Sequence, residues 1–363
     1  MAFTIGIEEE FQTIDPISRE LKSHMSEIVE DGRIILQERI KQEMHQSVVE
    51  TGTNICQNIH EAREEVSFLR NKLIGIAERR NLLVAASGTH PFSDWVDQLI
   101  TPEEHYNNIV TEMRDVARGN LIFGLHVHVG IDERSEAVRI MNEARYFLPI
   151  LHALSTNSPF WCGRDTGFKS YRSKVFDKFP RTGIPDYFES EEAYDDYVGL
   201  LVKTNSIDSA RKIWWDIRVH PIYPTLEYRI CDVPMRVDET ICLAAIMQAL
   251  TVKIQRNKRG TFNKSYNRLI IAENKWRAAR DGIETNLIDV LREEEISIND
   301  LVRELLDYID DVLDELGSRD DVNYVYQILA KGTGADRQIE VYKNTNDLKS
   351  VVDYIVSETK YGL

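Results

Sequence analysis

Near its N-terminus the chain reads Thr4-Ile5-Gly6-Ile7-Glu8-Glu9-Glu10-Phe11-Gln12, which places three consecutive carboxylates after an apolar, β-branched start. Side chains alternate between the two faces of a strand, so Glu8 and Glu10 share one face and Glu9 lies on the other. Taken alone, this pattern favours a solvent-exposed edge strand, because charge on the open face of a sheet is common. A functional interpretation depends on the other strands, and it requires a partner for Glu9 on the apolar face.

Composition and charge restrict the class of protein. The chain has 363 residues, of which 42% are hydrophobic and 29% charged, and this is typical of a globular protein with ample material for a core. Its net charge of −16 argues against a nucleic-acid partner, because binding to phosphates requires a basic surface. No apolar run reaches the ~20 residues of a membrane span, and the N-terminus lacks the pattern of a signal peptide. We therefore expect a cytoplasmic protein that binds neither nucleic acid nor membrane.

The cysteines and the chain length also bound the organisation. Four cysteines are scattered without a Cys-x-x-Cys pair, which argues against a zinc site or a disulfide framework and for reduced thiols. The length alone allows two domains. No repeat, low-complexity tract or linker marks a boundary, so we predict one catalytic domain over residues 1–363, sheet-rich to about residue 236 and mostly helical afterwards.

Hydrophobic periodicity predicts the order of the elements. Strands are expected at 47–51, 82–87, 121–131, 213–219 and 225–232. Helices are expected at 58–81, 101–119, 133–153 (with a bend at Pro149), 238–257, 264–281, 297–316 and 344–358, with everything after Val237 helical. Thr101-Pro102-Glu103-Glu104 predicts a helix start, with Thr101 as the capping hydroxyl. The aperiodic stretch 155–190, rich in arginine and aromatic residues, is typical of an ordered functional loop.

The strand at 121–131 carries two histidines on one face. Its odd positions are all apolar, while Gly124, His126, His128 and Gly130 share the other face. A lone histidine is usually a structural residue. Here two imidazoles lie between glycines, which leave room for a group to approach the sheet. This pattern favours a functional site and a structural role equally.

Two later strands repeat this division into an apolar and a charged face. Asp216, Arg218 and His220 alternate with apolar residues in one, and Glu227 and Arg229 do so in the other. One such strand would indicate cross-strand ion pairs on a wet surface, which contribute little to stability. Four such strands in one chain predict a sheet with helices behind it and a polar front.

The residue types on that front narrow the chemistry. Carboxylates with one or two histidines suit hard divalent cations such as Mg²⁺ or Mn²⁺. Arginines beside them suit a substrate with its own negative charges, and ATP together with a carboxylate fits that demand. Neither a phosphate-binding P-loop nor a dinucleotide fingerprint occurs. If ATP binds, metals and arginines must do what such a loop does elsewhere.

Five segments together resemble the type 2 glutamate–cysteine ligases, also called carboxylate–amine ligases. The segments are Gly6-Ile7-Glu8-Glu9-Glu10-Phe11, Gly124-Leu125-His126-Val127-His128-Val129-Gly130, Asn157-Ser158-Pro159-Phe160, Pro180-Arg181-Thr182-Gly183 and Asn274-Lys275-Trp276. The resemblance runs from residue 4 to about 282 in one order, and the last eighty or so residues add no motif.

The resemblance implies an α+β, glutamine-synthetase-like fold. In it a curved, largely antiparallel sheet carries helices on its outer face and the active site on its concave face. The implied activity is ATP-dependent amide formation: a carboxylate, typically the γ-carboxylate of glutamate, forms an acyl phosphate, and a small amine such as cysteine displaces the phosphate. The implied partners are small molecules, and the family also includes oligomers.

The resemblance also assigns roles by position. Glu8, Glu10, Glu50, His126 and Glu227 are the expected metal ligands. Three arginines are the expected catalytic residues: Arg229 would contact the transferring phosphoryl group or the substrate carboxylate, and Arg172 and Arg181 would act as phosphate or lid cations. Asn274, Lys275 and Arg280 are the expected ATP contacts, although cations at a helix C-terminus also complement its dipole. His128, Asp216 and Arg218 are expected to bind substrate.

Three alternative functions use the same residue types. A guanido kinase of related fold would transfer phosphate reversibly without an amide product. A metal-dependent phosphohydrolase would use the carboxylates and histidines for two-metal hydrolysis. A ligand-sensing relative without activity is the least favoured, because the whole set of charged strand residues is present.

Overall fold

The computed structural model describes residues 3–23, 25–257 and 266–363. Its strands are β1 (Ile5–Ile14), β2 (Ile40–Gln42), β3 (Val48–Gly52), β4 (Leu83–Ala85), β5 (Gly124–Gly130), β6 (Phe160–Trp161), β7 (Arg164–Asp165), β8 (Thr182–Gly183), β9 (Trp214–Trp215), β10 (Ile217–Val219), β11 (Thr225–Asp232), β12 (Asn286–Asp289) and β13 (Glu294–Ser297). Its helices are α1 (Met25–Leu36), α2 (Ile59–Arg79), α3 (Glu104–Met113), α4 (Asp115–Arg118), α5 (Arg134–Ala144), α6 (Leu148–Ser155), α7 (Tyr171–Phe176), α8 (Glu191–Lys203), α9 (Val237–Arg256), α10 (Arg268–Asp281), α11 (Ile298–Leu316), α12 (Arg319–Asn323), α13 (Val325–Lys331), α14 (Gly334–Thr345) and α15 (Leu348–Thr359).

A seven-stranded antiparallel sheet forms the centre, in the order β10-β11-β5-β1-β3-β2, and β4 pairs with the far end of β1. The register sets Glu8 opposite His126, and it sets Glu10 opposite Glu50. Glu227 lies opposite His128. Because residues directly opposite each other in an antiparallel pair point to the same face, these six side chains share one face.

The other face of the sheet is apolar and is covered by helices. Side chains of β1, β5 and β11 pack in one large cluster with α2, α5, α6 and α9. Helix α9 is buried around most of its surface, because the sheet lies on one side of it and α11 and α12 lie on others. Within the described part of the chain, no helix combines the length and apolar composition that crossing a membrane requires.

The helix predicted at 101–119 is two helices, and its predicted cap is wrong. Helix α3 begins at Glu104, and the Thr101 hydroxyl instead donates to the Glu43 carbonyl at 2.5 Å. The break falls at Arg114, whose φ is 48°. None of the residues of α3 is fully buried, and its apolar side chains are only partly covered by the small cluster of Met44, Ala117 and Phe179. Because tertiary packing supplies most of a helix's stability, this limited burial gives little support to one continuous helix across the break.

Three other expectations need correction. The region after Val237 is not entirely helical, because β12 and β13 form a hairpin in which Leu287 pairs with Ile296. The strand predicted at 213–219 is interrupted at Asp216, between β9 and β10. Helix α1 and strand β2 were not predicted. The first residues of the helix predicted at 264–281 lie outside the described residues, and α10 begins at Arg268.

A candidate active site on the polar face of the sheet

The polar face of the sheet forms one wall of a cleft of about 460 Å³. Eight of the side chains predicted for the site line it: Glu8, Glu10, Glu50, His126, Arg172, Arg218, Glu227 and Arg229. Side chains from β2, the segment after it, α3 and the β10–β11 connection contribute to the rest of the lining, together with aromatic residues that include Phe176 and Trp214. The alternation of each strand therefore brings residues that lie more than 200 positions apart in the sequence to one surface.

The carboxylates and histidines of the cleft form three overlapping groups suited to a cation. The groups are Glu8–Glu50–His126, Glu8–His128–Glu227 and Glu10–Glu43–Glu50, and in each of them the candidate ligand atoms lie within 4.8 Å of one another. Most of these atoms are carboxylate oxygens, which Mg²⁺ and Mn²⁺ prefer. The residues present thus fit the predicted divalent cation, and His128 lies with this set.

Like charges are crowded in this cluster. Burial and the neighbouring charge of Glu8 raise the pKa of Glu50 to about 7, although Lys41 opposes this rise. Burial and the charges of Glu50 and Glu10 raise the pKa of Glu43 well above its ordinary value. A divalent cation bound to these oxygens would neutralise the charge that now disfavours ionisation.

The pKa values of the two histidines shift in opposite directions. Burial and the nearby Arg229 lower the pKa of His126, so its imidazole is neutral and can ligate a metal. Burial also opposes protonation of His128, but its hydrogen bond with Glu8 and the charge of Glu227 outweigh burial and raise its pKa. Burial raises the pKa of Glu8, yet both histidine contacts and Lys41 hold that pKa well below its ordinary value.

Two arginines of the cleft donate hydrogen bonds to the Glu227 carboxylate. Arg218 Nε donates to Glu227 Oε2 at 2.5 Å, and Arg229 donates to Oε1 of the same carboxylate. The two guanidinium charges outweigh the effect of burial and lower the pKa of Glu227, so that it stays ionised. The Nε of Arg229 is buried without a hydrogen-bond partner among the described residues. This arginine therefore keeps a donor for a further anionic group.

Arg172 reaches the cleft from α7, across the end of β5. Its two terminal nitrogens donate to the Ile230 and Arg229 carbonyls at 3.3 Å, and its buried Nε has no partner in the described part of the chain. A Cβ at Gly124 would overlap the Arg172 guanidinium. The glycine in the predicted histidine strand thus makes room for this arginine.

A buried carboxylate positions the loop that carries Arg172. Asp232 accepts hydrogen bonds from the Asn157 backbone N–H at 2.8 Å and from the Ser158 and Ser170 hydroxyls at 2.6 and 2.8 Å. The Ser158 hydroxyl in turn accepts from the Arg172 backbone N–H at 3.1 Å. The segment beginning at Asn157 therefore fixes the entry to α7 and does not itself contact the cleft among the residues described.

Asp216 and Lys275 lie apart from the described lining of the cleft and pair with each other. The Lys275 ammonium is 2.8 Å from Asp216 Oδ2 and 3.2 Å from Asp177 Oδ1. The prediction that Asp216 shares the face of Arg218 is wrong, because the strand is interrupted at that residue and its carboxylate turns to α10. Its backbone carbonyl accepts from the Arg229 N–H at 2.8 Å.

Three other predicted residues also lie outside the described lining of the cleft. The Asn274 amide exchanges hydrogen bonds with the backbone of Ile288 at 2.9 and 2.8 Å. Arg280 is about half exposed, with its guanidinium 5.5 Å from the Trp276 ring centre. Arg181 donates to the Lys212 carbonyl at 2.9 Å and lies over Trp214, which does line the cleft.

Sequence reasoning missed two charged residues of the cleft. Lys41 lies on β2 opposite Glu50 and donates to it at 2.8 Å. Glu43 follows on the same segment and joins the third carboxylate group. A strand of three residues has no readable period, so the only sequence signal was the adjacency of charged residues to the strand predicted at 47–51.

Glu9 confirms the predicted register of β1. Its carboxylate points away from the cleft and accepts two hydrogen bonds from Arg70, at 2.9 and 2.5 Å. The Thr240 hydroxyl donates to it at 2.7 Å. The partner that the alternation of the strand required on the apolar face is therefore present.

Residues 4–354 match the model of the family described as glutamate–cysteine ligase family 2. A protein of Solibacter usitatus (strain Ellin6076), provisionally named glutamate–cysteine ligase 2, is 53% identical over 364 residues, which cover 100% of this chain and 94% of the relative. A protein of Herpetosiphon aurantiacus with the same provisional name is 52% identical over 363 residues, covering 99% of this chain and 94% of the relative.

Solved structures share the fold. The Francisella tularensis glutamate–cysteine ligase in complex with AMP superposes with a TM-score of 0.71 at 14% identity and covers 100% of this chain and 90% of its own. The bifunctional glutathione synthetase of Pasteurella multocida gives a TM-score of 0.68 at 14% identity, covering 99% of this chain and 52% of that protein. The predicted α+β fold is confirmed.

Proposed function

This chain belongs to glutamate–cysteine ligase family 2 and is therefore an ATP-dependent carboxylate–amine ligase; we propose that its substrates are glutamate, through the γ-carboxylate, and cysteine. The family and the relatives do not favour a guanido kinase or a phosphohydrolase. The choice of glutamate and cysteine rests on the names of the relatives, and the choice of site rests on the cleft.

The proposed reaction has two steps. A γ-carboxylate oxygen of glutamate attacks the γ-phosphorus of ATP, the bond to the bridging oxygen breaks, and ADP leaves with an acyl phosphate in place. The amine of cysteine then attacks the acyl carbon, phosphate leaves, and the nitrogen loses a proton to give the amide. Both steps gather negative charge in one place, so catalysis depends on neutralisation and alignment more than on a protein nucleophile.

Some residues of the cleft would bind the cation, and others would contact the substrates directly. Glu8, Glu10, Glu50, His126 and Glu227 would hold Mg²⁺ or Mn²⁺, which when bound neutralises charge on the phosphate oxygens. Arg229 and Arg172 would donate to the transferring phosphoryl group or to the substrate carboxylate. Arg218 would act through Glu227, whose second oxygen it holds.

One observation carries this assignment: crowded carboxylates and incompletely bonded arginines line the same cleft. A buried N–H without a partner costs free energy, so it is retained where an incoming group satisfies it. Arg229 and Arg172 each carry such a group beside the proposed metal ligands. This arrangement suits a substrate that is anionic and arrives with a cation.

The test is an ADP-release assay with Mg²⁺ across pairs of amino acids, with mass analysis of the product. We expect ADP release that requires both glutamate and an amine, is fastest with cysteine, and yields γ-glutamylcysteine. Release of ADP with glutamate and a different amine would correct the second substrate only. Release with water alone across the whole panel would contradict the proposed ligase reaction.

A further inference from the structure

Lys41 inserts a positive charge into the proposed metal cluster. Its ammonium is 2.8 Å from Glu50 Oε1 and 3.3 Å from Glu8 Oε1. The Lys41 side chain is 49% exposed, whereas that of Glu50 is only 8% exposed. A half-exposed cation therefore neutralises a carboxylate that is buried beneath it.

The same two carboxylates belong to the ligand group that includes His126. An ammonium and a divalent cation cannot both sit a few ångströms from these oxygens without strong mutual repulsion, which a partly buried site screens poorly. A divalent cation at this group therefore competes with Lys41 for Glu8 and Glu50.

We propose that Lys41 is a displaceable counter-ion, which bridges Glu8 and Glu50 before the cation arrives and transfers to a phosphate oxygen of ATP afterwards. This inference rests on the metal site of the proposed function. Lys41 lines the cleft, and its flexible stem lets the displaced ammonium stay beside the incoming triphosphate. Binding of the cation releases the Lys41 ammonium, and ATP then supplies a phosphate oxygen with which it can pair. Each ligand therefore favours the binding of the other.

The experiment measures Mn²⁺ binding to the full chain by the electron paramagnetic resonance signal of free Mn²⁺, without and with a non-hydrolysable ATP analogue. The variants are Lys41→Met, Lys41→Gln and Lys41→Arg. The control is Lys22→Met, because Lys22 is similarly exposed and pairs with Asp15 away from the cluster. Circular dichroism establishes that each variant is folded, and Lys41→Gln replaces Lys41→Met if the latter is not.

Without nucleotide, we expect Lys41→Met to bind Mn²⁺ on the order of tenfold more tightly than the parent chain, since no ammonium competes. Lys41→Arg keeps the charge and should stay near the parent affinity, as should Lys22→Met. Addition of the analogue should increase the Mn²⁺ affinity of the parent chain more than that of Lys41→Met.

Two results would overturn the inference in different ways. Unchanged or weaker Mn²⁺ binding by both neutral variants, with normal binding by the parent, would make Lys41 a fixed support of the ligands and leave the proposed function intact. No Mn²⁺ binding by the parent with or without the analogue would remove the metal site itself, and the role of Lys41 with it.

Discussion

Glu8 and Glu9 are neighbours in one strand, and they have opposite kinds of environment. Glu9 accepts hydrogen bonds from Nε and one terminal nitrogen of Arg70 and from the Thr240 hydroxyl, with every contact at 2.9 Å or less. Arg70 uses its remaining donors on the Met235 and Pro234 carbonyls and on Thr240. Glu8 contacts two histidines at 3.4 and 3.6 Å and Lys41 at 3.3 Å, in a cluster of further carboxylates.

This difference indicates a structural role for Glu9 and supports the proposed metal-binding role of Glu8, its neighbour in the chain. A fully bonded, buried ion pair leaves nothing for a ligand, so the Glu9–Arg70 pair joins β1 to α2 and to the start of α9. The loose contacts of Glu8 leave oxygen lone pairs for a cation. Charge alone would not distinguish the two carboxylates. They differ in burial, since the Glu9 side chain is 3% exposed and that of Glu8 is 24% exposed, and in the completeness of their hydrogen bonds.

The largest effect should follow from changing the loosely bonded carboxylate. In Glu8→Gln we expect turnover to fall on the order of a thousandfold, because a neutral amide is a poor ligand for a hard cation. Thermal unfolding should change little, and Glu64→Gln, on an exposed position of α2, is the matched control. Near-normal turnover in Glu8→Gln would remove Glu8 from the metal ligands.

The opposite outcome is expected one residue later. Glu9→Gln leaves the Arg70 charge buried without its partner, which should lower the free energy of unfolding by about 3–5 kcal/mol in urea titrations. Turnover per folded molecule should stay within a few-fold of the parent. Glu304→Gln is the control, because Glu304 forms a similar two-bond pair with Arg292 at the surface, and its loss should lower the free energy of unfolding far less than Glu9→Gln does. A large fall in turnover of folded Glu9→Gln would contradict the structural role assigned to Glu9.

A smaller effect should appear in the pH dependence of stability without divalent cations. Because the pKa of Glu50 is raised to about 7 in the folded chain from an ordinary value near 4.5, the folded state holds the extra proton between these values. This contribution to stability is present below about pH 4.5 and is lost as the pH rises through about 7.

Urea titrations in a chelator between pH 4.5 and 8 would measure this loss. Relative to Glu50→Gln, the parent chain should lose about 3 kcal/mol across that window. A difference that is constant with pH would contradict the raised pKa of Glu50.

Periodicity and alternation were enough to predict much of the site. They assigned Glu8 and Glu10 to one face of β1 and Glu9 to the other, and they assigned His126 and His128 to a shared face. The register that brings Glu8 opposite His126 could not be predicted, because it depends on pairing between strands that are more than 100 residues apart. Alternation shows which face a residue takes, and tertiary pairing decides what it meets there.

The failures have local causes. Asp216 was assigned to the wrong surroundings because its strand is interrupted there, where β9 pairs in parallel with β8. Lys41 was missed because β2 has only three residues. Asn274 and Lys275 belong to a motif of the family, yet both are bonded inside the protein, to the Ile288 backbone and to Asp216. The described hydrogen bonds of these two side chains lie within the protein, and their contact with ATP stays a prediction.

The most direct test of the difference between the two carboxylates is Mn²⁺ binding to Glu8→Gln and Glu9→Gln, measured side by side at a temperature where both are folded. We predict that Glu8→Gln loses most of the binding seen in the parent chain and that Glu9→Gln keeps it. Equal losses in the two variants, or a loss confined to Glu9→Gln, would contradict the assignment of the metal site to the cleft face of β1.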